Sequence, residues 1–308
     1  MRRCLIFLLL SVCLFLSCGT DSTEPAGWFS FTDDAGETVV LDAQPKTVAV
    51  LTSSFAEIWS LAGGTVSVTV GETVERGFAD ADCILVDAGA GKTISIETLI
   101  GAEPDLVIAS ADIPAQAQAV SLLADAGIPA AQLRVESFDD YLRILELFTQ
   151  ITENAEAYRQ YGQDVQAEID AVLAQAAEKG EGKKILFVRA GSSSKSTKAK
   201  TAAEHFACAM LKELGTRNIA ENAPVLIDGL SMEEILLENP AYLFISTMGD
   251  EDAAKANMNA LLAEPAWQEV DAVKNGRVFY LPKELFQYKP NERWAEAYRM
   301  LCDLLYEN

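Results

Sequence analysis

Between residues 183 and 203 the chain carries Lys183, Lys184, Arg189, Lys195, Lys198 and Lys200 and no acid. Elsewhere acids dominate. The whole chain has 46 Asp and Glu against 24 Lys and Arg, for a formal net charge of −22. The cationic stretch is interrupted by Gly191-Ser192-Ser193-Ser194, so ammonium, guanidinium, hydroxyl and backbone donors are offered together. That combination suits an anionic ligand, although a solvated loop has the same composition. A second cluster, Leu285-Phe286-Gln287-Tyr288-Lys289-Pro290-Asn291-Glu292-Arg293-Trp294, mixes aromatics and cations. It can stack on a flat or bulky ligand, and core packing of Phe286 and Trp294 is the competing use.

A third feature is a pattern that occurs twice. Ser95, Glu97 and Pro104 match Ser231, Glu233 and Pro240 at one constant offset of 136 residues. Each copy reads as a Ser that caps a short helix, an acid in its positive first turn, and a Pro that stops it before an apolar strand. The chain therefore contains two similar lobes, each presenting a Glu at the same place. Glu97 and Glu233 either stabilise helix ends or form a matched pair of carboxylates for a two-fold symmetric partner.

Catalytic chemistry is poorly supplied. The only His is His205, on an expected helix; a role facing a bound metal chelate is the weaker alternative to ordinary packing there. No Gly-x-Ser-x-Gly elbow occurs. Ala88-Gly89-Ala90-Gly91-Lys92-Thr93 resembles the end of a phosphate-binding loop, but the first Gly of that motif falls on Val86. The cysteines have no metal-ligand spacing, and neither a disulfide framework, a resident metal nor a cofactor is expected. The net negative charge argues against nucleic acid as a partner.

These residues need a scaffold, and the pattern of apolar runs supplies one. Residues 28–42 read as a hairpin turning at Asp34-Ala35-Gly36. Apolar strands are expected at 47–51, 66–70, 83–86, 106–109, 185–188, 242–246 and 277–281, with helices between them. Alternating strands and helices predict an α/β fold of two lobes with mainly parallel sheets. Residues 138–177 differ, being helical throughout with a break at Thr152-Glu153-Asn154. The expected division is an N-terminal lobe over 28–150, a linking helix over 151–180, and a C-terminal lobe over 181–308, with the ligand cleft between lobes.

Residues 1–17 have the form of an export signal, with Arg2 and Arg3 ahead of an apolar run too short to span a bilayer comfortably. Phe15-Leu16-Ser17-Cys18-Gly19 resembles a lipobox. Cys18 is the expected lipidation site, with 18–27 as a tether on the outer side of the cell membrane. A plain cleaved signal with a stray Cys, or an uncleaved anchor, is the alternative.

Together these segments resemble the substrate-binding lipoproteins of bacterial ABC importers for iron chelates, haem and cobalamin. The resemblance is carried by residues 46–57, by 97–108 with its Pro-Asp-Leu-Val, by Leu211-Lys212-Glu213-Leu214-Gly215 with Asn218-Ile219-Ala220, and by 289–294. It implies two α/β lobes joined by one long helix, modest closure on binding, a monomeric non-catalytic protein, and Glu97 and Glu233 reaching Arg residues on the two permease subunits. It also implies ligand contacts from loops at 52–55, 75–78, 110–112, 191–198, 248–250 and 286–294. The candidates on those loops are Ser53, Ser54, Phe55, Arg76, Arg189, Ser192, Ser193, Lys195, Lys198, Met248, Phe286, Tyr288, Arg293 and Trp294. The basic stretch favours an anionic iron chelate, siderophore or haem, over a corrinoid. An exported hydrolase and a surface sensor or adhesin are the readings of other classes.

Overall fold

A computed structural model describes residues 27–87 and 93–307. Cys18, the export-signal region and the phosphate-loop-like residues 88–92 lie outside the described residues. The described residues open with an antiparallel hairpin, β1 (Phe29–Thr32) and β2 (Thr38–Leu41). There follow β3 (Val48–Val50), α1 (Ser53–Leu61), β4 (Val68–Thr69), α2 (Gly71–Glu75), β5 (Ile84–Leu85), α3 (Ile96–Gly101), β6 (Leu106–Ser110), α4 (Pro114–Asp125) and β7 (Ala130–Leu133). The five strands form one parallel sheet in the order β5-β4-β3-β6-β7.

A helical segment then leaves the sheet. It comprises α5 (Phe138–Ile151), α6 (Ala155–Tyr158), one π-helical stretch over Arg159–Gln163, and α7 (Asp164–Glu178). Ser137 and Asp140 close a capping box at the start of α5. The break after Ile151 is fixed by Asn154, whose side chain caps α6 and also donates to Ala62 O at 3.2 Å.

The second sheet begins with β8 (Lys183–Ala190), then β9 (Lys198–Ala199), α8 (Phe206–Glu213), β10 (Thr216–Asn218), α9 (Pro224–Asp228), α10 (Met232–Glu238), β11 (Tyr242–Thr247), α11 (Glu251–Leu262), α12 (Asp271–Lys274), β12 (Val278–Tyr280), α13 (Lys283–Phe286) and α14 (Trp294–Tyr306). Its order is β10-β8-β11-β12, all parallel, and β9 lies antiparallel on the end of β8. The basic stretch is thus mostly a strand and its short return, which sequence reasoning did not anticipate at β9.

Strand alternation decides where the cores lie. Val48, Val50, Leu106 and Ile108 point into one cluster, while Ala49, Leu51, Val107 and Ala109 point into another on the outer face. In the second sheet Ile185, Phe187 and Phe244 join the first cluster, and Leu186, Val188, Leu243 and Ile245 form a separate outer one. The inner faces of both sheets therefore share one apolar core. It also takes in Ile144 and Phe148 of α5, Ile169 and Val172 of α7, and Leu301 and Leu305 of α14.

The repeated pattern folds the same way twice, with one difference. Leu99 and Ile235, matched in the repeat, are both fully buried. Glu103 and Asn239, also matched, both have φ +47°, a left-handed turn that ends the helix just before Pro104 and Pro240. Ser95 caps α3 by accepting from Thr98 N–H at 3.3 Å, but the Ser231 side chain makes no capping hydrogen bond. The expected Ser cap is corrected there.

Gly64 shows how tightly the inner core is closed. A Cβ at this position would stand 2.1 Å from the Trp59 indole, itself buried and donating to Thr65 O at 3.1 Å. Gly64→Ala should cost about 1–3 kcal/mol in urea unfolding, as overpacking does. Gly229→Ala, with nothing within 4 Å of the added atom, should stay close to wild type. Equal midpoints for the two variants would refute the clash.

Candidate functional site

In a parallel sheet the crevice lies beyond the carboxyl ends of the strands. Three segments meet there. The start of α1 follows β3, Arg76 ends α2 after β4, and residues 287–293 precede α14. The Arg76 guanidinium organises the meeting. Its Nη1 donates to Ser53 Oγ at 2.7 Å, and Ser53 Oγ donates to Glu72 Oε2 at 3.1 Å. Its Nη2 lies 3.8 Å from Glu57 Oε2. Its flat faces contact two rings, Tyr288 at 4.0 Å and Phe78 at 4.8 Å from the centroids. Asn291, fully buried at φ +50°, donates through Nδ2 to Ser54 O at 3.1 Å and to Glu57 Oε2 at 2.7 Å. These bonds join the loop before α14 to α1.

Lys289 extends the cationic wall. Its Nζ lies 4.7 Å from the centroid of Phe206 and 3.9 Å from Glu136 Oε2. A cavity of about 290 Å³ opens here, lined by Glu57, Arg76, Phe78, Glu284, Tyr288, Lys289, Pro290 and Arg293. Hollows of about 480 and 500 Å³ lie elsewhere, against residues 41–44 and against the hairpin, and no Lys or Arg lines either. Size alone would select those; converging cations and aromatics select the interlobe cavity.

Burial shapes the charges of this region. It pushes the Glu57 carboxyl up to about 7, against the lowering effect of the Asn291 hydrogen bond and of Arg76. Burial also lowers Lys289, opposed by Glu136, Asp112 and Asp140. His205 is pushed down to about 3, by burial first and then by the positive charges of Lys289, Arg189 and Lys200.

The candidates named from sequence separate into groups. Arg76, Tyr288 and Arg293 come together in the cavity, with Ser53 and the Ser54 carbonyl in support. Arg293 also makes a bidentate pair with Glu296, at 2.7 and 2.8 Å. Phe55, Phe286 and Trp294 are buried in the shared core rather than offered to the cleft. Trp294 meets Phe138 and Phe206 edge-on at 6.1 and 5.4 Å, so it holds the lobes together. Arg189, Lys198, Ser192, Ser193, Lys195 and Met248 gather at the carboxyl ends of β8 and β11, outside that cavity. Their loop is held by Asn257 Nδ2, which donates to Gly191 O and Thr197 Oγ1 at 3.1 and 2.9 Å. Lys183 and Lys184 sit at the opposite end of β8 and bond Leu305 O and Glu238, so the sequence cluster does not act as one patch.

His205 is corrected too. It is the residue before α8, and its Nδ1 accepts from Ala207 N–H at 3.2 Å. The helix starts late because residues 201–204 make a turn, with Glu204 Oε2 accepting from Thr201 N–H at 3.2 Å. Phe78 and Lys289 lie in the ligand loops expected at 75–78 and 286–294 without being named as contacts, and sequence reasoning missed Glu57. The available signal was Glu57 itself, the one charge in an otherwise apolar or small helix. Among the described residues no cluster of His, Cys, Asp and Glu is arranged to hold a metal ion, and Cys83, Cys208 and Cys302 are free thiols. Glu97 and Glu233 are both exposed.

The raised Glu57 has a consequence for stability. Folding takes up a proton between about pH 4.5 and 7, so this group's contribution falls as pH rises through that window, by up to about 3 kcal/mol. His205 acts oppositely, its depressed value withdrawing stability as pH drops below 6.5. Urea unfolding of wild type and Glu57→Gln from pH 4.5 to 8 isolates the first effect. The wild-type minus variant difference should decline by about 3 kcal/mol across the range, and a flat difference would refute it.

The periplasmic binding protein family model matches residues 48–285. No curated protein matches the chain in sequence. Among solved structures, an ABC transporter substrate-binding protein from Listeria monocytogenes superposes with a TM-score of 0.70 at 19% identity, over 85% of this chain and 99% of that one. The periplasmic vitamin B12 binding protein of Vibrio cholerae gives 0.67 at 20%, over 85% and 97%. Staphylococcus aureus SirA, solved with staphyloferrin B, gives 0.66 at 18%, over 91% and 97%. The two sheets, the crevice at their carboxyl ends and the extent of the family match have one common explanation: the chain belongs to the periplasmic binding protein family.

Proposed function

We propose that this chain is the extracytoplasmic capture component of an ABC importer, taking an anionic iron chelate, siderophore or haem, into the interlobe cavity. The observation that carries the reading is the convergence of Arg76, Lys289 and Arg293 with Phe78 and Tyr288 in one cavity of a protein whose net charge is −22. The aromatic faces suit a flat or bulky ligand and the cations suit its charge. In this reading Arg189, Lys195 and Lys198, outside that cavity near the carboxyl end of β8, add positive charge for a ligand that extends beyond it. Similar folds include a vitamin B12 binding protein and a protein solved with staphyloferrin B, which supports a bulky ligand at this crevice. A hydrolase is disfavoured because His205 is buried with Nδ1 engaged, so it cannot serve an exposed nucleophile.

In this reading Cys18 carries lipid and residues 18–27 tether the lobes to the cell membrane. Residues 28–150 and 181–308 are the lobes and 151–180 links them. The monomer docks on a permease dimer through Glu97 and Glu233.

Thermal-shift screening of residues 19–308 against haem, ferric siderophores and cobalamin tests the ligand. A ligand at 100 times its Kd should stabilise the fold by about 2.7 kcal/mol. Arg76→Ala should weaken the responding chelate tenfold or more; a response to cobalamin alone would replace the anionic reading with a corrinoid one. Glu97→Ala combined with Glu233→Ala should leave affinity intact and reduce cellular uptake. Uptake at the wild-type rate would remove the docking role.

A further inference from the structure

The two matched carboxylates do not stand alone. Three residues beyond each Glu, and on the same helix face, is a matched exposed hydrophobe: Ile100 beside Glu97, 37% exposed, and Leu236 beside Glu233, 40% exposed. Leu237 follows at 75%. The neighbours between them, Leu99 and Ile235, are buried in both copies, so the outward position of Ile100 and Leu236 is set by the same packing twice. The distribution of other exposed hydrophobes agrees. Trp28 and Leu122 aside, every large hydrophobic side chain exposed among the described residues lies on α3, on α10, or on β5 and α9, the elements that precede them: Ile84, Leu85, Ile100, Val225, Leu236 and Leu237.

We propose that Glu97 with Ile100, and Glu233 with Leu236 and Leu237, are two copies of one docking patch for a two-fold symmetric protein that presents a basic group beside an apolar hollow on each half. The inference rests on the docking role proposed above and adds the apolar contacts to it. Charge selects the occupant. A second copy of this chain would bring the same carboxylates against these, and an anionic bilayer would repel a surface that is both acidic and part of a strongly acidic chain. A partner with a cation and a hollow on each half satisfies both elements of each patch. Buried apolar contact supplies affinity that salt does not screen, while the carboxylates set register and salt dependence.

The experiment measures binding of the ligand-free domain to the host's purified permease–ATPase complex in nanodiscs, from 50 to 500 mM NaCl. Ile100→Ser, Leu236→Ser and Leu237→Ser combined should raise Kd at least tenfold with the salt dependence unchanged. Glu97→Ala with Glu233→Ala should raise Kd and flatten the salt dependence. Leu122→Ser, an exposed hydrophobe outside both patches, should bind as wild type. All variants are exposed changes, and their melting temperatures are compared first. Wild-type affinity in the Ser triple variant beside weakened binding in the Glu pair would overturn the apolar patch and leave the docking role standing. Wild-type affinity in both would overturn both. Self-association of the wild type that the Ser triple variant abolishes, or binding to phosphatidylglycerol vesicles that it abolishes, would assign the patch to another occupant and overturn the proposal. An equal loss for Leu122→Ser would do the same.

Discussion

Everything in this molecule depends on one apolar core being common to both sheets. In each lobe alternate strand residues divide between an outer cluster and an inner one, and the inner clusters merge through α5, α7 and α14. Trp294 stands at the junction, against Phe138 from one side and Phe206 from the other. Opening the lobes widely would expose these rings to water, at roughly 25 cal/mol for each Å² uncovered. The cleft is accordingly a shaped space rather than a jaw. Asn291, bonded to Ser54 O and Glu57, reinforces the same junction from the cleft side.

That rigidity explains how the cleft keeps its cations in place. Arg76 is held by a hydroxyl, a distant carboxylate and two ring faces, rather than by a close bidentate acid. Such a setting orients the guanidinium while leaving its charge incompletely cancelled. Glu57, the nearest acid, is driven toward its neutral form by burial, which lessens that cancellation further. An anionic guest would therefore meet a preorganised positive centre and need little rearrangement of the protein.

Much of this was legible in the residues alone. Apolar runs and punctuating glycines mark most strands and helices, and the offset repeat implies two lobes. The repeat even extended further than its three matched letters, to the left-handed Glu103 and Asn239, a backbone property that side-chain identity conceals. The site was less legible, because a loop's sequence does not say which of its side chains turn inward. Phe286 and Trp294 are as aromatic as Tyr288, but only Tyr288 borders the cavity. Lys183 and Lys198 belong to one basic run, but an eight-residue strand carries them to opposite ends of a sheet. Glu57 went unnoticed since its importance arises from tertiary burial.

The likeness of the two halves has a geometric corollary. A guest with approximate two-fold symmetry, seated on a host with a true two-fold axis, has two poses related by a half-turn. On such a host the two poses are equal in energy whatever the guest, and they would also be indistinguishable were the halves identical. They are not identical. The position that holds Leu237 in one half is occupied by Gly101 in the other, so a host docked on both, as proposed above, would meet an apolar side chain on one and none on the other. A host whose two halves are themselves the same cannot tell the poses apart, whereas one built from two different subunits reads that difference as handedness.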